Sequence, residues 1–245
     1  MDRQMQLYWK AFEQLVSTEH IIDNDFNPVY LFEDQLVDGA IIDIGCGQVS
    51  PLISYAGIGE RRLIGIDNEA SQLLKLRSRM VEIAGADDER WELINIDPLY
   101  GQLPLGPYAM VVMYKILHFF TLNECKEVIS KVDQHLVRGS LVSLCVHSSK
   151  HPANDPTNPE NDAYFKHFFT QEDIDSLFPA NKFERLYRAD IERNYEKVDR
   201  QVAALWAEKV ITDMKITSHR EKANWRQHAT KQQSTAEIIN VYRKL

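Results

Sequence analysis

The amino-acid sequence predicts an α/β protein built on an open, doubly wound sheet of seven strands. Three observations carry that prediction. Short apolar, β-branched runs alternate with capped helical stretches along most of the chain, forming five strand-helix units and a terminal strand pair. The first run ends directly in Asp43-Ile44-Gly45-Cys46-Gly47. The second ends in Asp67, at the spacing of about 20 residues that nucleotide-binding α/β folds use.

Two helical stretches precede the first strand. Met5, Tyr8, Trp9, Phe12, Leu15 and Val16 recur with helical spacing, and Val29 to Val37 follows Asn27-Pro28, with Pro28 suited to a first helical turn. Residues 1–38 are therefore expected to form a short N-terminal helical cap, and residues 39–245 the α/β domain. Ala40 to Ile44 reads as a parallel strand buried on both faces. A loop and a helix follow it.

Arg62 to Asp67 gives the second strand, after which Asn68 can cap a long helix with the apolar residues Leu73, Leu74, Leu76, Met80, Val81 and Ile83. Trp91 to Asp97 and Ala109 to Tyr114 give the third and fourth strands. Thr121 and Glu124 form a capping box for the next helix, and Ser140 to His147 is the fifth strand. Residues 148–160 are polar and rich in Asn, Asp and Pro, hence a loop, and Thr170 with Asp173 opens a short helix. Lys182 to Ile191 alternates as the sixth strand and Ala236 to Tyr242 as the seventh. Between them Val198, Val202, Leu205, Trp206 and Ile211 mark an amphipathic helix, so residues 192–235 read as a helical insertion and a candidate lid.

Composition narrows the function classes. With 44% hydrophobic and 26% charged residues, the 245-residue chain can bury a core without staples. Cys46, Cys125 and Cys145 are odd in number and form no Cys-x-x-Cys pair, which argues against a disulfide framework or thiolate zinc site and favours a reducing cytoplasm. No metal site is expected. The N-terminus lacks the basic and apolar regions of an export signal, and no apolar run approaches the roughly 18 residues of a membrane span. The net charge of −8 disfavours general nucleic-acid affinity, although it divides into −12 over residues 1–191 and +4 over residues 192–245.

Each part of the glycine segment has its own physical task. Gly45 and Gly47 lack Cβ atoms, so the backbone there can turn sharply and approach a ligand closely. A carboxylate at Asp67 can accept hydrogen bonds from both hydroxyls of a ribose, or else simply cap the next helix. Together at two strand ends, they specify a nucleoside-bearing ligand. Ser50 stands where a dinucleotide fingerprint has its third glycine, which disfavours NAD, and no Gly-Lys-Ser/Thr run is present to cradle a triphosphate.

Over most of its length the chain resembles the class I S-adenosylmethionine-dependent methyltransferases. Asp43 to Gly47 look like that family's first motif, Asp67 like its ribose-binding acid, Ile96-Asp97 like the acidic turn beside the adenine, and Met110 to Phe120 like its fourth strand and following segment. Ile238 to Lys244 look like its C-terminal hairpin strand. The resemblance implies a Rossmann-like sheet with an antiparallel last strand. It also implies S-adenosylmethionine as cofactor, with Asp43, Gly45, Cys46, Gly47, Asp67, Asn68, Asp97, Pro98, Met113 and Tyr114 around it. Val49 and Pro98 depart from the family pattern, Pro98 at the adenine turn. The N-terminal cap and residues 164–169 are similar to small-molecule methyltransferases, including the tellurite-resistance type.

The implied activity is methyl transfer to an O or N nucleophile of a small-molecule acceptor. His118 and His147 stand at strand ends where the acceptor belongs, and an imidazole with pKa near about 6.5 can take up a proton there; each can equally be a hydrogen-bonded structural residue. Tyr164, His167 and Trp206 are candidate walls of the acceptor pocket, with core packing as the alternative. Cys46 reads as a small buried filler. Three other readings stay open: an RNA or protein methyltransferase using the basic C-terminal segment, a non-catalytic methyltransferase-like partner subunit, and a cyclase reusing the cofactor's charge. The expected partner is the acceptor; nucleic acid and membrane are disfavoured and a homodimer is admitted.

Overall fold

Seven strands form one sheet in the order β3-β2-β1-β4-β5-β7-β6. They are β1 (Ala40–Ile44), β2 (Leu63–Asp67), β3 (Trp91–Asn95), β4 (Tyr108–Tyr114), β5 (Leu136–His147), β6 (Phe183–Tyr195) and β7 (Gln233–Lys244). Strands β1 to β5 pair in parallel, and β7 runs antiparallel to β5. The predicted doubly wound sheet with an antiparallel last strand is the one observed. Its helices are α1 (Leu52–Ala56), α2 (Ala70–Ala84), α3 (Leu122–Asp133) and α4 (Gln171–Leu177).

The computed structural model describes residues 28–48, 50–56, 60–85, 89–155, 157, 165–195, 208, 211–212, 215–220, 222–223 and 233–245. The chain divides into two compact units, Asn27–Ile191 with Ala236–Leu245, and Met1–Phe26 with Glu192–Thr235. The first unit holds nearly all the described residues. The helical face from Met5 to Val16 and the helix residues Val198, Val202, Leu205 and Trp206 lie outside them. Among the described residues no helix is long and apolar enough to cross a membrane.

Two cores sandwich the sheet because alternate residues of each strand face opposite sides. Ile42, Ile44, Val111, Met113, Val142 and Leu144 pack with Val128, Ile129 and Val132 of α3. Ile41, Met110, Val112 and Leu141 pack on the other face with Leu73, Leu76 and Met80 of α2. Both predicted capping boxes are present, at Thr121/Glu124 and Thr170/Asp173.

The structure corrects several local expectations. Glu69, not Asn68, caps α2, its carboxylate accepting from Ser71 N, while Asn68 is exposed. Leu74 and Ile83 face solvent at 65% and 48% exposure, since only the rows through Leu73, Leu76 and Met80 lie over the sheet. The Val29 to Val37 stretch forms a 3-10 helix, Pro28–Gln35. β5 begins at Leu136, ahead of the predicted Ser140, because Leu136 pairs with Tyr108 before a register shift that Gly139, at φ 93°, accommodates. β3 stops at Asn95, leaving Asp97 in the following turn.

Candidate active site

The strand order reverses between β1 and β4, and the carboxyl ends of both strands lie beside the glycine loop. Open α/β sheets bind ligands at such a switch point, because the flanking connections diverge there and leave a crevice. The loop is anchored at its start, where Gly45 N and Cys46 N both donate to Ile66 O of β2, at 2.7 and 3.0 Å. Gly45 has φ +75°, and a Cβ on it would lie 2.6 Å from Ile116 Cγ1. Only glycine permits this backbone so close to the chain leaving β4. Gly47 has φ +54° with open space where a Cβ would stand.

Asp67 closes the loop. Its Oδ2 accepts from Gly47 N at 2.9 Å and its Oδ1 from Glu69 N at 2.8 Å. Burial raises its pKa, opposed by those two N–H groups. Asp43 lies beneath, 2% exposed, where Ser50 Oγ–H donates to its Oδ2 at 2.6 Å and Ser50 Oγ in turn accepts from Leu52 N at 3.1 Å. Burial pushes the Asp43 carboxyl up to about 7 against the lowering effect of Ser50, and the Asp67 charge adds to the rise. Cys46 is buried, and burial, followed by the charges of Asp43 and Asp67, pushes its thiol well up, so it fills space rather than acting as a nucleophile.

The Asp97 turn is self-contained. Leu99 N donates to Asp97 Oδ1 at 2.8 Å and Gly101 N to Asp97 O at 2.7 Å. Lys131 of α3 reaches under it, its ammonium donating to Pro98 O at 3.3 Å, Gly101 O at 3.0 Å and Leu99 O. Pro98 is buried against this turn.

Beyond β4 and β5 three imidazoles form a ladder. His118 and His147 stack with ring centroids 3.8 Å apart and planes 10° apart, and His147 and His151 with 4.0 Å and 12°. Phe165 stands edge-on to His118 and His147, at 4.8 and 4.7 Å. Lys166 N donates to His118 O at 2.8 Å, which fixes the Phe165 segment over the ladder. Burial, then the neighbouring His151 and the Lys115 ammonium, lower His118 to about 3; burial, then His118, His151 and Lys115, lower His147, and burial lowers His151 against the raising effect of the Glu237 carboxylate, with Lys115 lowering it further. Burial thus favours the neutral form of each ring. Beside it, Lys115, at φ 56°, places its Nζ 3.2 Å from Oε1 of the buried Glu237, the cross-strand partner of His147.

Solved structures share this architecture at low identity. TehB from Haemophilus influenzae superposes with a TM-score of 0.62 at 11% identity, over 93% of this chain and 65% of TehB, so the chain spans just under two thirds of TehB's length. Magnesium protoporphyrin IX methyltransferase from Synechocystis PCC 6803, in a structure with bound SAH, gives 0.58 at 13%, over 97% and 83%. The [4+2]-cyclase SpnF gives 0.56 at 16%, over 88% and 79%. The fold is that of the S-adenosylmethionine-dependent methyltransferases. No protein-family model matches the chain, and no curated protein matches it.

Within this methyltransferase fold the expected residues separate into groups. Gly45, Gly47 and Asp67 come together directly, with Asp43 and Cys46 as their buried floor. Tyr114 is half-buried at the end of β4, its Oη 2.9 Å from Ser143 Oγ. Met113 is turned by strand alternation into the core and is fully buried. His167 faces away from the ladder, its Nε2 3.3 Å from Asp173 Oδ2 at the start of α4. Tyr164 and Trp206 lie outside the described residues.

Four site residues were not among the expected ones. Phe165 sat within an aromatic run, and Lys115 and Glu237 meet only through strand pairing. His151 follows His147 at the His-x-x-x-His spacing of zinc sites. Stacking sets those two rings face to face, and among the described residues no group of three or more His, Cys, Asp or Glu could hold a metal ion.

Proposed function

We propose that the protein is a methyltransferase that uses S-adenosylmethionine and methylates an O or N nucleophile of a small molecule. The observation that carries this reading is the Gly47 N–H to Asp67 contact at the switch point. It sets a carboxylate at the mouth of a loop that one glycine holds against β4 and another leaves open. Those residues fit a ribose-bearing cofactor: the Asp67 carboxylate is a hydrogen-bond acceptor for a diol, and the open side of Gly47 admits a ligand where a Cβ would intrude. The Asp97 turn, braced by Lys131, is the expected base-contacting edge.

When bound, the cofactor supplies a sulfonium-linked methyl group as the electrophile. The chain's own contribution is orientation and proton handling. His118 and His147 present neutral imidazoles at the ends of β4 and β5. Burial holds both well below an ordinary imidazole, so their part is to accept a hydrogen bond from an acceptor hydroxyl or amine and orient it, the proton passing on only as the new bond to the methyl group forms.

Calorimetric titration with S-adenosylmethionine and S-adenosylhomocysteine, with NAD and ATP as controls, tests the reading. Selective binding of the two adenosyl compounds at micromolar concentration is expected. Folded protein that binds neither would overturn the cofactor assignment and leave the partner-subunit role.

A further inference from the structure

The outer edge of the imidazole ladder is built unlike a core. His118 and His147 are buried, but Phe119, His151, Phe165 and Phe168 around them are only half-buried. They come from three segments: the turn after β4, the loop after β5, and the stretch before α4. Phe119 packs on His118 and Phe165 at 4.6 and 5.5 Å, and Phe168 on His151 and Phe165 at 5.8 Å each. A protein interior would submerge four such rings; here they form a lip of flat surfaces at the carboxyl end of the sheet.

Among the described residues the side chains that form the lip are three phenylalanines and one histidine. Burial disfavours the charged form of all three imidazoles. The charged groups facing the ladder, Lys115 from the end of β4 and Glu237 from β7, pair with one another at 3.2 Å, and Cys145 of β5 donates its S–H to Glu237 at 3.6 Å. Neither a strong anion nor a strong cation is matched by this surface. A planar π system is, because the half-buried rings of the lip offer flat faces and edges on which such a molecule can stack with an offset or stand edge-on, the arrangements aromatic pairs prefer. The lip adjoins the cofactor loop through Ile116, which touches Gly45 and lies two residues before His118.

We infer that the acceptor is a neutral planar aromatic or heteroaromatic molecule that packs on the His151, Phe165 and Phe168 lip. The inference rests on the methyltransferase reading and narrows it. A saturated molecule of the same outline buries a similar area but forfeits the stacked and edge-on contacts, each a factor of roughly 2–10 in affinity.

The test uses full-length protein saturated with S-adenosylhomocysteine, titrated with two matched pairs of probes: 2-naphthol against decahydro-2-naphthol, and phenol against cyclohexanol. Calorimetry gives the affinities, and proton NMR follows the imidazole signals. The aromatic member of each pair is expected to bind about tenfold tighter and to shift the His151 ring signals. Phe165→Leu and Phe168→Leu, which keep apolar bulk, are expected to erase that preference while leaving S-adenosylhomocysteine affinity unchanged, a result that also certifies folding. Equal affinity within the pairs, or no binding of any probe to protein that does bind S-adenosylhomocysteine, overturns the inference and spares the methyltransferase reading. Loss of S-adenosylhomocysteine binding by the unaltered protein overturns both.

Discussion

Gly47 and Asp67 are joined across the ends of two parallel strands by one backbone N–H to carboxylate hydrogen bond of 2.9 Å. The bond gives the glycine loop its shape and orients the carboxylate proposed to meet a ribose. A charge-assisted hydrogen bond of this kind contributes roughly 1.5–3 kcal/mol. Asp67→Ala is therefore expected to weaken S-adenosylmethionine binding by roughly 10–100-fold. Asp67→Asn, which keeps an acceptor for Gly47, should lose less. Calorimetry on both variants checks the order.

Gly45→Ala puts a methyl group into the space of Ile116 and imposes a left-handed backbone on alanine. The backbone alone costs roughly 1–2 kcal/mol, with the overlap added to it. Ile116→Ala in the same chain should recover a part of the steric cost only, because it removes Cγ1 and Cδ1 but keeps the Cβ that lies 2.7 Å from the new methyl. A double-mutant cycle by urea denaturation is expected to show coupling between the two positions, and additive effects would refute the contact.

Asp43 makes stability depend on pH in a stated direction. Its folded-state pKa of about 7 is above the ordinary 3.8, so its favourable contribution is full below about 4 and is lost as pH rises through about 7. Asp43→Asn, which can still accept from Ser50, removes that titration. Its stability relative to the wild type should therefore rise between pH 5 and pH 8, by an amount on the order of a few kcal/mol. Identical pH slopes for the two proteins would exclude an elevated Asp43.

The imidazole ladder acts with the opposite sign. His118 is lowered from 6.5 to about 3 in the fold, so its contribution is present above about 6.5 and is lost as pH falls toward about 3. His118→Phe keeps a ring for stacking and cannot be protonated. Its thermal midpoint is expected to fall less than the wild type's on acidification from pH 7 to pH 4, as calorimetric scans at both pH values would reveal.

Lys131 braces the Asp97 turn from beneath through three carbonyls. Lys131→Met retains the stem and removes the ammonium. The expected result is a several-fold weaker affinity for S-adenosylmethionine with little change for acceptor, since only the turn proposed to meet the base is loosened. An unaltered cofactor affinity would remove the turn from the site.

Local sequence pattern by itself determined the order of strands and helices, the capping boxes at Thr121 and Thr170, and the placing of Gly45, Gly47 and Asp67 at strand ends. Those features depend on neighbours a few residues away, where period-2 and period-3.6 burial, capping chemistry and the freedom of glycine act directly. Asp43, Met113 and His167 also stand in segments that the sequence marks for the site, yet only the packed structure reveals that the first is a buried floor, the second core, and the third paired with Asp173 of α4. The imidazole ladder and the Lys115–Glu237 pair were decided wholly by tertiary structure. Strand pairing of β4 with β5, and of β5 with β7, brings those residues together from distant parts of the chain. The lowered pKa values of the imidazoles follow from burial, a property of the assembled fold that no local stretch of sequence contains.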